Sequence, residues 1–370
     1  MTGNRNDSNH PQEFKGAEIS NFIKLLRRPL SDLTNTYSRP VSSILPEERE
    51  VDSSLLFDEI DIDAHYDRLS AWEGSISKKK IRDWLNQFET TLDKNIAHLL
   101  LSKFQFLSKS DIEVATRSLQ EKLLDLLIEK ESLREVFMAS PNPKSKDDTN
   151  FRRWLRNKII RYARLPSPPN KSVESQDRLW AIYERSALTS TSSPAGKKLR
   201  PLKEYFEIPS GEPQSSVFVF MDYTNGSGDT LKECIREINK ILTDYPEWRN
   251  AFFVFLHIVQ LKTFSLSSIE CAPPKSDVLF YENMFHYKSP EVIELLTIYK
   301  ISESEYDAFI EKYCFRASGE LSLGYRQSGA LTCHHYSCPN NTLPFFHKSS
   351  QNWEPLFRNS QTPSATRYRR

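Results

Sequence analysis

The chain has no apolar run near the roughly 20 residues that a bilayer-spanning helix needs, and its polar start, Met1 to Glu13, lacks the apolar core of a signal peptide. A cytoplasmic protein with no membrane role is expected. Cysteine is scarce: Cys234, Cys271, Cys314, Cys333 and Cys338 form an odd, scattered set of five, which argues against a disulfide framework and for reduced thiols. A dominant charge is also missing, since the net value is +1, so no general attraction to polyanions follows. Several chemical signatures are absent. There is no Gly-x-Ser-x-Gly for a hydrolase elbow, and Asp229 and Thr230 follow Gly228 where a Walker loop needs lysine. Leu231 occupies the place of the third glycine in a dinucleotide fingerprint.

With 370 residues, 38% hydrophobic and 12% aromatic, the chain can bury a substantial core spread over about two domains. Residues 1–60 read as a polar, partly disordered arm. Residues 61–165 read as a helical domain, because Ile81, Trp84, Leu85, Phe88, Leu92 and Ile96, then Val114, Leu119, Leu123 and Leu127, recur at helical intervals. Pro-bearing stretches at Ser140 to Thr149 and Leu165 to Gln176 bracket a short basic helix and close that domain. From 176 to 358 strands alternate with helices, the pattern of an α/β domain, and residues 359–370 form a flexible basic tail. Ser289 with Pro290, and Ser302 with Glu305, carry helix-start signals.

The most informative stretch is Val217-Phe-Val-Phe-Met-Asp-Tyr-Thr-Asn-Gly-Ser-Gly-Asp-Thr230. Val217 to Met221 predicts a buried parallel strand with Asp222 at its C-terminal end. Leu231, Cys234, Ile235, Ile238 and Leu242 predict an amphipathic helix directly after it. The loop from Tyr223 to Asp229 then lies between a strand and a helix N-terminus, where converging amides and the helix dipole favour a phosphate.

An acid-tipped strand followed by a small-residue loop ending Ser-Gly-x-Thr resembles the phosphoribosyl pyrophosphate loop of type I phosphoribosyltransferases. The resemblance implies that Asp222 faces a ribose diol while Thr224, Asn225, Gly226, Ser227, Gly228, Asp229 and Thr230 hold a phosphate. The family usually has a second adjacent acid, and this chain has Tyr223 there. Phosphate binding is therefore better supported than ribosyl transfer. A turn with no ligand is the alternative.

Leu323-Gly-Tyr-Arg-Gln-Ser-Gly329, Pro339-Asn-Asn-Thr-Leu-Pro344 and Trp353-Glu-Pro-Leu-Phe357, together with Ile81-Arg-Asp-Trp-Leu-Asn-Gln-Phe88, resemble the phosphoribosyltransferase-like effectors of bacterial conflict systems. That resemblance implies a parallel sheet flanked by helices, joined to an N-terminal helical domain. It further implies a nucleotide-binding toxin effector of antiviral defence, restrained by a retron reverse transcriptase with its single-stranded DNA and a winged-helix protein. Magnesium would accompany phosphoribosyl pyrophosphate. Asn340 and Asn341, fixed between prolines, either present amides to a ligand or only form turns. A catalytically inactive sensor or scaffold is a second reading, and self-association is compatible with either.

Cys333, His334, His335 and Cys338 invite a zinc reading, but His334 and His335 would point to opposite faces of the strand predicted over Ala330 to Tyr336. No metal ligand is assigned. Phe151 to Arg164 carries six basic residues and no acid, and as a helix it would suit a nucleic-acid backbone or a set of acidic partners.

Overall fold

The computed structural model describes residues 59–70, 72, 76–140, 145–166, 174–188, 199–207, 213–226, 228–261, 266, 269, 272–335 and 337–357. The arm to residue 58, the tail 359–370, Ser227, Cys271 and Tyr336 lie outside the described residues. Contacts divide the chain into two units, Met1–Ala64 and His65–Arg370. The described part of the first is the start of helix α1 (Glu59–Leu69).

In the second unit five parallel strands form one sheet: β2 (Ile160–Arg164), β3 (Arg200–Pro201), β4 (Val217–Asn225), β5 (Phe252–Leu261) and β6 (Ser276–Met284). Their spatial order is β3-β2-β4-β5-β6, so the chain reverses its direction of travel between β2 and β4. In a doubly wound sheet, ligands bind outside the carboxyl ends of the strands at such a reversal. A separate parallel pair joins β1 (Gln105–Leu107) to β7 (Thr332–His334).

β4 and β5 are apolar on both faces because both faces are covered. Phe218, Phe220, Phe253 and Phe255 pack on α9 (Asp229–Asp244) through Leu231, Ile235, Ile238 and Leu242. Val217, Val219, Met221, Val254 and Leu256 pack in a core with α4 (Lys109–Ile128) and α7 (Glu174–Tyr183). The segments 61–165 and 176–358 share this second core, and β1 and β2 both come from the former.

The basic stretch Phe151 to Arg164 is not one helix. α6 (Asp148–Trp154) passes into a π-helical turn, Leu155–Ile159, and the chain then becomes β2. Ile160, Arg161 and Tyr162 pair with Val217, Phe218 and Val219, so an edge offered by β4 overrides a helix-like pattern. Arg152 and Arg156 bridge to Glu121, Arg152 also to Asp125, and Arg164 to Asp177. These arginines therefore have acidic partners within the chain.

The remaining helices are α2 (Lys78–Leu85), α3 (Thr91–Lys103), α5 (Glu131–Ala139), α8 (Leu202–Glu207), α10 (Pro290–Ile298), α11 (Glu303–Ser318) and α12 (Pro344–His347). The Ser302–Glu305 capping box forms, and Ser289 precedes Pro290 as N-cap. Trp84 of α2 and Trp353 both donate their indole N–H to the Phe345 carbonyl, at 3.2 and 2.8 Å. Gln87 and Glu354 exchange a reciprocal pair of hydrogen bonds at 2.8 Å. Among the described residues no helix is long and apolar enough to cross a membrane.

Candidate functional site

β4 runs to Asn225, beyond the apolar run that predicts it, so the connection to α9 shrinks to Gly226–Gly228 and Asp222 lies inside the strand. The strand continues because Asp222, Thr224 and Asn225 keep register with His257, Val259 and Gln260 of β5. Gly228 is the N-cap of α9 at φ 78°, a left-handed conformation that glycine adopts without strain, and among the described residues no side chain caps the first turn. That leaves backbone N–H groups at the helix start for an anion. Ser227 is outside the described residues, and Thr230 is exposed in the first turn.

Residues far apart in sequence converge on this turn. A Cβ at Gly226 would stand 1.4 Å from Asn341 Nδ2, so the Asn341 side chain lies directly on the glycine. Gly324 is similarly close to the Asn341 carbonyl, at 2.7 Å from its own absent Cβ. The Asn340 carbonyl accepts from Tyr325 N–H at 2.7 Å. The Arg326 Nε lies 2.8 Å from Asp229 Oδ2, and Thr224 Oγ1 is 3.0 Å from His334 Nε2. Asn225 Nδ2 donates to Gln260 Oε1 at 3.3 Å.

Thus Thr224, Asn225, Gly226, Gly228, Asp229 and Asn341 form one neighbourhood, with Asn340 adjoining through its backbone. Asp222 lies earlier on β4, half-buried, near Cys234 of α9. Burial pushes its carboxyl up to about 6, against a hydrogen bond at 2.8 Å from Tyr223 N–H that favours the charged form. Its neighbour across the sheet, His257, is held neutral by burial, its value lowered to about 3. His334 falls likewise to about 3, through burial first and the charge of His335 second.

The contributions of Arg326, His257, Gln260 and His334 are not apparent from local sequence, because each depends on a partner in another element. Gly324 and Gly329, both at positive φ, were the one local signal that the segment around Arg326 is shaped for close approach. β7 spans only Thr332–His334, shorter than the predicted Ala330 to Tyr336. Among the described residues no three His, Cys, Asp or Glu side chains form a metal-ligating group.

A family model described as PRTase-CE matches residues 81–359, most of the chain. The chain belongs to this family. It therefore carries a phosphoribosyltransferase-like domain, and the β4–α9 turn lies within the matched residues. No curated protein and no solved structure matches the chain.

Asp222 gives a pH-dependent expectation. Asp222 holds its proton to about 6 when folded, against an ordinary value of 3.8, so its contribution to stability is full below pH 4 and is lost as pH rises to about 6. The difference of about two pH units corresponds to at most about 3 kcal/mol. Asp222→Asn is expected to melt above the wild type at pH 7–8 and together with it near pH 4. Thermal melts across that range check this, and a pH-independent difference would contradict it.

Proposed function

We propose that this chain is an antiphage effector that binds a phosphorylated ribose compound, with phosphoribosyl pyrophosphate as the reference ligand, at the β4–α9 turn. One observation carries the reading: a glycine turn leads from the central parallel strand, next to the sheet's reversal point, into a helix N-terminus without a side-chain cap. Thr224 to Thr230 hold the 5-phosphate through backbone amides and hydroxyls. Asn340 and Asn341 brace the turn and supply amide groups. Magnesium would be held through the pyrophosphate and would offset its charge, with no protein ligand assigned to it.

In the reaction the bond from the anomeric carbon to its leaving group lengthens, and positive charge grows on the ribose ring. Asp222, ionised above about pH 6, counters that charge and accepts hydrogen bonds from the ribose hydroxyls. The outcome is ribosyl transfer to an acceptor or cleavage of a nucleotide linkage. The reverse transcriptase with its single-stranded DNA, and a winged-helix protein, are proposed as the controlling partners on the family resemblance.

A second reading is a sensor that keeps the ligand cradle without turnover. Tyr223 supports it: the residue in place of the second acid is 2% exposed and lies tilted against His334, ring centroids 4.6 Å apart, turned into the core. Incubation with phosphoribosyl pyrophosphate and magnesium, followed by mass spectrometry, separates the two. Turnover lost in Asp222→Asn is the expected result for the effector. Equal turnover in both proteins would overturn the catalytic role, and binding without product would favour the sensor.

A further inference from the structure

The reversal of the chain after β7 places two thiols opposite each other. His334 N–H donates to the Ser337 carbonyl at 2.9 Å and Ser337 N–H returns a bond to His334 at 3.2 Å, closing an antiparallel bridge. In such a ladder the next pair outward is a non-hydrogen-bonded pair, whose Cα atoms stand about 4.5 Å apart with side chains on one face. That pair is Cys333 and Cys338. The spacing falls inside the range that a disulfide spans without backbone movement. The Cys338 thiol donates to the Thr332 carbonyl, next to Cys333, at 3.8 Å, and both thiols are buried, at 0% and 1% exposure.

We propose that Cys333 and Cys338 are a dithiol that a peroxide-class oxidant closes to a disulfide within the native fold. One sulfur attacks a peroxide oxygen, giving a sulfenic acid and releasing one water. The other thiol then attacks the sulfenic sulfur, the S–S bond forms and a second water leaves. Two thiols and one peroxide give one disulfide and two waters. Burial pushes the Cys333 thiol up, so attack waits on transient opening of the reversal.

The position gives the bond a consequence. His334, inside the closed loop, contacts Thr224, and Asn341, shortly after Cys338, lies on Gly226. Closure therefore fixes the loop that carries His334, one support of the β4–α9 turn, and tethers the start of the segment that leads to Asn341, the other. The dithiol itself does not depend on which ligand that turn takes.

The test is peptide mapping of the folded full chain after hydrogen peroxide, under non-reducing conditions. The expected product is a Cys333–Cys338 linked peptide lacking two hydrogens, lost on adding dithiothreitol and absent from Cys338→Ser. A bond joining other cysteines, separate sulfinic acids at the two positions, or linkage that forms only in denaturant would each overturn the proposal. The wild-type protein alone decides it, so a poorly folding variant does not obscure the result.

Discussion

Trp84→Ala is expected to lower the free energy of unfolding by about 3–5 kcal/mol, the range for emptying a large aromatic site in a packed core. Trp84 is 1% exposed, stacks on Phe346 at 5.2 Å, meets Phe88 edge-on at 5.0 Å and donates to Phe345. Phe88 in turn meets Trp353 at 5.2 Å, and Phe104 stacks on Phe357 at 5.0 Å. The two ends of the family region thus close into one aromatic core. Trp84→Phe keeps much of the ring volume but loses the indole N–H, so its loss is expected to be clearly smaller. Urea unfolding followed by fluorescence measures both, and a loss below about 1 kcal/mol for Trp84→Ala would contradict a shared core.

Gly226→Ala is expected to weaken both the fold and the ligand site. The added Cβ falls 1.4 Å from Asn341 Nδ2 and 2.6 Å from its Cγ, so the Asn341 side chain has to leave. Its backbone cannot follow, because the Asn341 carbonyl accepts from Ala330 N–H and from Ser328 Oγ, both at 2.9 Å. Overpacking of this kind costs about 1–3 kcal/mol. Affinity for phosphoribosyl pyrophosphate is expected to fall about tenfold or more, equivalent to at least about 1.4 kcal/mol. Adding Asn341→Gly should restore stability by removing the clash without restoring affinity, since the amide is then missing. Additive losses in the double variant would show that the two residues do not act together.

β4 and α9 were legible because their patterns are local. A β-branched and aromatic run cannot remain exposed, and Leu231, Cys234, Ile235 and Ile238 mark one helix face whatever surrounds them. The capping box at Ser302 was legible for the same reason. β2 was not, since Phe151, Trp154, Leu155, Ile159 and Tyr162 fit helical spacing and it is pairing with β4 on one side and β3 on the other that draws Ile160 to Arg164 into a strand. The site divides along the same line. Gly226 and Gly228 announce a turn, but the contacts of Asn341 with Gly226, Arg326 with Asp229 and His334 with Thr224 join positions about a hundred residues apart. Asp222 was placed at the strand end because the apolar run stops at Met221. Pairing with β5 carries the strand on to Asn225.

The measurement that tests the central claim most directly is isothermal titration of the full chain with phosphoribosyl pyrophosphate and magnesium, using wild type beside Gly226→Ala. Saturable binding by the wild type, competed by ribose 5-phosphate and strongly weakened in Gly226→Ala, is the expected result. No binding, or equal binding by a folded Gly226→Ala protein, would contradict a phosphoribosyl site at the β4–α9 turn.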